Sequence, residues 1–505
     1  MTITLINIIS LFRNVEIESI SLFRITRNGD FTLEESDDMD ANFLEEVKRK
    51  LMERKTGRVV RIDIEEGYSK WMLNSLLERW NLRPDSVFLT KRVSMIDFSG
   101  LWQIVGNKHF RDRLPQMPAP VKPLSYPEEG RADIFEILKE RDILLHHPYN
   151  NIDSILDLIE NAAEDPNVMA IKMTIYRLAK DSRITKALLR AAENGKHVSV
   201  LFEVKARFDE ENNILEAKKL QKAGCFVIYG ISHLKTHTKL LLIVKKDDQE
   251  ITRYVHLGSG NYNEDTARLY TDIGLLTTNE VLANDVSEFF NVITGHSVPS
   301  DYRNLITAPR DMRNQLISFI EEEAMHAKNG LPSGIFIKVN SLEDSEIIRA
   351  LYSASQQGVS IKLIVRGICC LRPGRKGLSE NIEVLSIVGD FLEHSRIYHF
   401  HNNGDTRTYS GSADMMVRSF DKRLESLFKV EAPLLEKQLM NILSCNLRDN
   451  SNSYTMQEDG TYLAKAPVAG EAKFNIHQEF FKVKVNEVLK VKLVEEKQEE
   501  PSTEE

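Results

Sequence analysis

Two histidines each stand two residues before a cation, as His237-Thr238-Lys239 and His394-Ser395-Arg396. A Gly-Ser turn follows each: Gly258-Ser259-Gly260-Asn261 and Gly411-Ser412-Ala413-Asp414. Residues i and i+2 of a strand share a face, so each histidine is expected to project with its cation into one cleft. Two such strands facing each other would set two imidazoles and two cations around a single anion. That set suits phosphoryl transfer. A neutral imidazole attacks phosphorus and forms an N–P bond weak enough to pass the group on. Lys239 and Arg396 are the expected phosphate clamps, because stabilising charge on the equatorial oxygens supplies most of the catalysis in this reaction class. The histidine that is not the nucleophile can protonate the departing oxygen or orient the acceptor. One His-x-Lys alone carries no weight, since a single histidine on an apolar strand is ordinarily packed or solvated. The doubling carries the reading.

The elements around these residues alternate. Helices are expected over Ile152–Ala163, Ile184–Asn194 and Asn213–Ala223, and strands over Val168–Tyr176, Val198–Val204 and Cys225–Tyr229. This is the rhythm of a mostly parallel sheet covered by helices. It recurs with a helix over Ser341–Gln357, N-capped by Ser341, and strands over Ser360–Val365, Glu383–Ile387, Arg396–Phe400 and Thr406–Ser410. The order of elements matches between the two stretches, which predicts a duplicated α/β domain. Earlier residues mix strands (Ile20–Thr26, Gly57–Ile64) with amphipathic helices (Asn42–Arg54, Ser69–Trp80). The Pro-rich stretch Pro115–Pro127 reads as a linker.

Bulk composition sets limits on this picture. The chain has 505 residues, 42% hydrophobic and 28% charged, with a net charge of −9. That length suggests several domains, and the acidic balance argues against a general nucleic-acid or anionic-membrane coat. None of Cys225, Cys369, Cys370 and Cys445 forms a zinc-spaced cluster, which fits a reducing cytoplasm. The apolar start, Met1–Phe12, is far shorter than the ~20 residues a membrane span needs and reads as a strand or an irregular beginning. The acidic end after Val494 reads as a disordered tail.

The paired motifs resemble the phospholipase D superfamily, whose usual element is H-x-K-x-x-x-x-D. Here Val244 and His401 occupy the aspartate positions. That departure is shared with the histidine-phosphorylating polyphosphate kinases, which the chain resembles in a series of strings. They are LLHHPY (Leu144–Tyr149), IKMTIYR (Ile171–Arg177), EVKARFDEENNI (Glu203–Ile214), LKTHTKL (Leu234–Leu240), GSGNYNEDTARLYTD (Gly258–Asp272), LIVRGICCLRPG (Leu363–Gly374), SIVGDFLEHSRIY (Ser386–Tyr398) and GSADMM (Gly411–Met416). The resemblance implies an α/β protein, with an α+β head followed by two phospholipase D-like α/β domains forming a duplicated pair. It implies that His237 becomes the phosphohistidine and that Tyr270, Arg366 and His394 contact ATP. It further implies that Arg177 and Arg207 touch magnesium-bound phosphate, with Mg²⁺ as cofactor. A guanidinium does not ligate a cation, so any metal role of these arginines runs through shared phosphate oxygens. From the residues alone, Arg177 equally suits a surface ion pair, Arg207 a solvated helix start, and Tyr270 a core position.

The implied domains are a head over 1–115, a linker over 116–130, catalytic domains over 131–300 and 301–475, and a C-terminal helix with its tail over 476–505. The family's helical N-terminal domain has no counterpart before Ser21–Phe31. The implied activity is reversible transfer of the ATP γ-phosphate to inorganic polyphosphate, in a cytoplasmic homo-oligomer with no nucleic acid bound and no stable membrane insertion. Two rivals remain: a phospholipase D-like phosphodiesterase, and an inactive remnant that binds polyphosphate.

Overall fold

The computed structural model describes residues 12, 15–28, 49, 56–91, 98–114, 117–123, 133–179, 182–203, 210–231, 234–247, 250–295 and 301–482. Arg207, nearly all of Met1–Phe12 and of Asn42–Arg54, and the acidic tail lie outside the described residues. The chain divides into two compact units, Met1–Met117 and Pro118–Glu505.

The first unit carries a three-stranded sheet of β1 (Phe23–Arg27), β2 (Val59–Glu65) and β3 (Val87–Thr90), with a helix over Lys70–Trp80. β1 runs antiparallel to β2, and β3 parallel to it. The helix stops at Asn81, which takes the left-handed conformation that asparagine tolerates.

The second unit holds two sheets built to one plan. The first uses β4 (Ile143–His147), β5 (Val168–Ile175), β6 (His197–Phe202), β7 (Phe226–Tyr229), β9 (Lys239–Asp247), β10 (Glu250–Gly258) and β11 (Tyr270–Thr277), in the order β4-β11-β10-β9-β5-β6-β7. A two-residue strand, β8 (Lys235–Thr236), precedes β9. The second sheet uses β12 (Leu305–Ala308), β13 (Ile335–Val339), β14 (Ile361–Val365), β15 (Ile382–Ile387), β17 (Ile397–Phe400), β18 (Arg407–Gly411) and β19 (Arg423–Lys429). Its order, β12-β19-β18-β17-β13-β14-β15, repeats the first strand for strand, and a hairpin of β20 (Ser453–Met456) and β21 (Tyr462–Ala464) extends its edge. The duplication expected from the sequence is present. The mostly parallel sheet is not. Only β5-β6-β7 and β13-β14-β15 run parallel within these orders, and the remaining neighbours are antiparallel. The reason is connection length: helical crossovers return a strand in the same direction, whereas the two residues joining β9 to β10 can only reverse it.

Alternation along β9 shows how the layers stack. Leu241 and Ile243 enter one core with the helices Asp153–Glu164 and Arg183–Glu193. Leu240 and Leu242 enter another, shared by both halves and containing the helices Glu280–Ile293 and Pro433–Arg448. A third core lies on the outer face of the second sheet. The helix expected from Ser341 starts instead at Ser345, because Leu342 is spent on bridges to Cys369 and Met415. Asp344 caps it, accepting from the N–H groups of Glu346 and Ile347.

Candidate active site

The placement of the two histidines follows from an exchange of short strands. β8 pairs in parallel with the first residues of β19 in the second sheet, and β16 (Leu392–Glu393) pairs in parallel with the first residues of β11 in the first sheet. Each chain then crosses to its own sheet, as β9 and β17. His237 and His394 sit in these crossovers, not within a strand as their two-residue spacing suggested. Their backbones are fastened across the boundary: His237 N–H donates to Leu424 O, and His394 N–H donates to the Thr271 hydroxyl.

The side chains cross as well. His237 Nδ1 lies 2.8 Å from Glu425 Oε2, and His394 Nδ1 lies 2.8 Å from Asp272 Oδ1. Each imidazole is thus held by a carboxylate of the other half, which fixes the Nδ1–H tautomer and leaves Nε2 with its lone pair. Burial and the nearby Lys239, Arg423 and Arg396 hold the His237 ring well below the ordinary imidazole range, so it is neutral near pH 7. Burial also lowers His394, with Arg396 adding to it and Asp272 opposing. Lys239 and Arg396 are among the charges felt by both histidines, and His394 is among those felt by His237. Each ring thus feels the charges that flank the other.

Both cations fold back onto their own histidines, and Arg396 Nη1 also lies 3.2 Å from His394 Nε2. Lys239 Nζ bonds His237 O, and Arg396 Nη1 donates to His394 O at 2.7 Å. Burial brings Lys239 down to about 7. Arg396 is almost fully enclosed and makes a two-pronged pair with Asp414, Nε to Oδ1 and Nη2 to Oδ2, both at 3.1 Å. The Gly-Ser turns support the carboxylates. Ser259 Oγ donates to Asp272 and accepts from Ile273 N–H, and Ser412 Oγ accepts from Ser426 N–H. Gly411 is required by close approach rather than by an unusual φ, since an added Cβ would sit 2.1 Å from Ser426 O.

Of the other expected residues, Tyr270, Arg366 and Arg177 gather at the same place, and Arg207 lies outside the described residues. The Tyr270 ring is 5.4 Å from that of His394. Arg366 follows β14 and donates to Asn340 Oδ1, and it lies near enough to Arg396 for the two charges to oppose each other. Arg177 follows Tyr176, whose ring meets His237 edge-on at 5.6 Å with Lys235 and Lys239 over its face. Sequence reasoning missed Asp272, Glu425 and the pairing role of Asp414. A signal existed: in both halves the residue after the carboxylate donates its N–H to the turn serine 14 positions earlier.

Family models for the polyphosphate kinase middle domain, C-terminal domain 1 and C-terminal domain 2 match residues 2–104, 133–299 and 305–478. A polyphosphate kinase of Thermosynechococcus vestitus is 43% identical over 492 residues, spanning 93% of this chain and 67% of that protein. This chain belongs to the polyphosphate kinase family. One from Staphylococcus haemolyticus is 46% identical, spanning 90% of this chain and 62% of that protein. The crystal structure of polyphosphate kinase from Porphyromonas gingivalis superposes with a TM-score of 0.79 at 29% identity, covering 95% of this chain and 69% of that one. The chain spans about two thirds of the length of the curated relatives it matches. Within the family's fold, the crossed histidine–carboxylate pairs occupy the junction of C-terminal domains 1 and 2.

Proposed function

We propose that this chain moves the γ-phosphate of ATP reversibly to inorganic polyphosphate through a phosphohistidine at His237 Nε2. The observation that carries the reading is the His237–Glu425 pair, which holds a neutral imidazole with Nε2 free inside a cluster of cations. Nε2 attacks the γ-phosphorus while Lys239, Arg396 and Arg366 balance charge on the phosphate oxygens. Attack leaves positive charge on the ring. Burial raises Glu425 to about 7, so this carboxyl can share or take the Nδ1 proton as that charge develops. His394, oriented by Asp272, faces the same phosphate and assists the departing or the accepting oxygen. Tyr270 and Arg366 are assigned to the nucleotide, and Arg177 and Arg207 to its magnesium-bound phosphates. Among the described residues no group of three or more His, Cys, Asp or Glu is arranged to hold a metal. Magnesium therefore enters this reading with the nucleotide, where it would screen the phosphates, and no step is assigned to it.

The deciding experiment incubates the protein with γ-labelled ATP and Mg²⁺. Acid-labile, alkali-stable label on His237 supports the kinase. Ester hydrolysis without nucleotide would support a phosphodiesterase instead, and binding without label an inactive polyphosphate binder. The working compartment in this reading is the cytoplasm, where ATP is abundant, and the working form is a homo-oligomer, which sedimentation tests directly.

A pH dependence follows. Lys239 and Glu425 both titrate near 7 in the free site. A bound polyanion favours charged Lys239 and protonated Glu425, so it raises both values. Above about pH 7 binding must then take up protons, and affinity for tripolyphosphate should fall as pH rises. Calorimetry at pH 8 in two buffers of different ionisation enthalpy should show net proton uptake. Equal heats in both buffers would contradict this account of the two groups.

A further inference from the structure

The duplication makes the surroundings of the two histidines directly comparable, and they differ in one respect. Beneath the His237 crossover Thr174 and Thr236 stand where Lys338 and Glu393 stand in the other half: Thr174 Oγ1 donates to Thr238 O, Thr238 bonds Ser426 through their hydroxyls, and the Thr236 N–H donates to the buried Glu203 carboxylate. Beneath the His394 crossover lies a buried, hydrogen-bonded trio. Glu393 accepts from Lys338 Nζ at 2.7 Å on Oε2, from His477 Nε2 at 2.7 Å on Oε1, and from Thr271 Oγ1 at 3.1 Å on Oε2. The side chains of Lys338, Glu393 and His477 are 2%, 3% and 0% exposed. Burial alone would raise Glu393, yet Lys338 and His477 hold it below the ordinary carboxyl range.

The trio grips His394 on both sides. Lys338 also bonds the carbonyl and hydroxyl of Ser395, the following residue. Thr271, which donates to Glu393, accepts the N–H of His394 itself, and it stands next to Asp272, which orients the His394 ring. His477 arrives from far along the chain, on the short helix Ile476–Glu479. Phe391 N–H donates to its Nδ1, so Nε2 carries the proton given to Glu393. The approach is tight enough that a Cβ on Gly389 would meet His477 Nδ1 at 2.5 Å. Phe480 and Phe481 pin the segment against Tyr149 of the first half, each with ring centroids 5.0 Å away.

We propose that Lys338, Glu393 and His477 are positioning residues for His394, and that the segment carrying His477 is in this way a working part of the active site. A buried ion pair is weak as a source of stability, because a well-packed apolar substitute is often as stable or more so. What the trio provides is geometry. It fixes three successive residues, 393 to 395, at the point where the chain changes sheets and no continuous ladder of strand hydrogen bonds holds it. The duplicated site shows that the fold itself does not need this trio, since Thr174 and Thr236 stand in the corresponding places and Glu203 holds the Thr236 N–H instead.

The inference deepens the kinase reading and rests on it for its kinetic consequence, so two measurements are needed. The first is independent of activity. In protein labelled at histidine ¹³Cε1, Glu393→Gln and His477→Ala should shift the His394 resonance and leave that of His237 in place, whereas His477→Gln, which keeps a donor, should restore the wild-type position. An unmoved His394 signal in folded variants overturns the proposal, whatever the enzyme's activity. The second is a double-mutant cycle on steady-state transfer. Glu393→Gln should lower kcat by on the order of 10- to 100-fold, the scale of an ångström-sized misplacement, with little change in the KM for ATP. In a His394→Ala background the same substitution should cost almost nothing further. Equal losses in both backgrounds would mean that Glu393 acts on stability or elsewhere, and would also overturn the proposal. Wild-type protein that takes no label from ATP would sink the kinase reading alone, and the resonance test would still decide this one.

Discussion

Replacement of His237 by alanine is expected to abolish acid-labile labelling by γ-labelled ATP while leaving the protein folded. The loss should be on the order of 10⁴-fold or more, the scale seen when a covalent nucleophile is deleted. Retention of the fold follows from what the ring touches. It packs edge-on against Tyr176, and its hydrogen-bonded partner is Glu425. Removing it takes one hydrogen bond from the buried Glu425, which keeps Arg423 at 3.7 Å, a change that costs about 1–3 kcal/mol. The low end is expected, because Glu425 already titrates near 7 and can stay protonated. The backbone at residue 237 stays fastened through its N–H to Leu424 O. Phosphoamino-acid chemistry on the variant, with a denaturant melt beside it, checks both halves. Wild-type label on a well-folded variant would move the nucleophile elsewhere, with His394 the next place to look.

The residues that carry this argument differ in how legible they were beforehand. His237, His394 and their cations stood out because the same short pattern occurs twice, and the helix–strand rhythm gave the parallel part of each sheet. Two features escaped for physical reasons. The crossed pairing depends on β8 and β16, two-residue strands whose partners lie in the other half, and so short a segment leaves no periodicity to detect. Asp272 and Glu425 differ in type, and each acts on the histidine of the opposite half, so proximity in sequence points away from the right partner. The same holds for the cap at Asp344. The nearer serine has the right chemistry, but its neighbour is committed to bridges that are visible only in three dimensions.

The largest expected effect on stability lies at Arg396. It is among the largest fully buried side chains, and its guanidinium is matched to Asp414 by two parallel bonds. Arg396→Met should therefore do two things at once: remove a phosphate clamp, and strand a buried carboxylate. Loss of one partner from such a pair costs about 3–5 kcal/mol, readable as a lower denaturant midpoint. A second substitution separates the two effects. Asp414→Asn added to Arg396→Met removes the orphaned charge but keeps an oxygen for the Asn340 N–H that Asp414 now serves. The double variant should recover most of the lost stability and none of the lost transfer. If both returned together, Arg396 would be a structural partner of Asp414 and no more. If neither returned, the cost would come from the contacts of Arg396 with Ser259 O and His394 O, which join the two halves through their backbones. Lys239 gives the reason to expect the first result. It fills the same place in the other half, bonded to the backbone carbonyl of His237, and Asn261 stands there at the position matching Asp414, so a cation is retained in both halves although the matched carboxylate is not. The requirement common to the two halves is positive charge beside each imidazole.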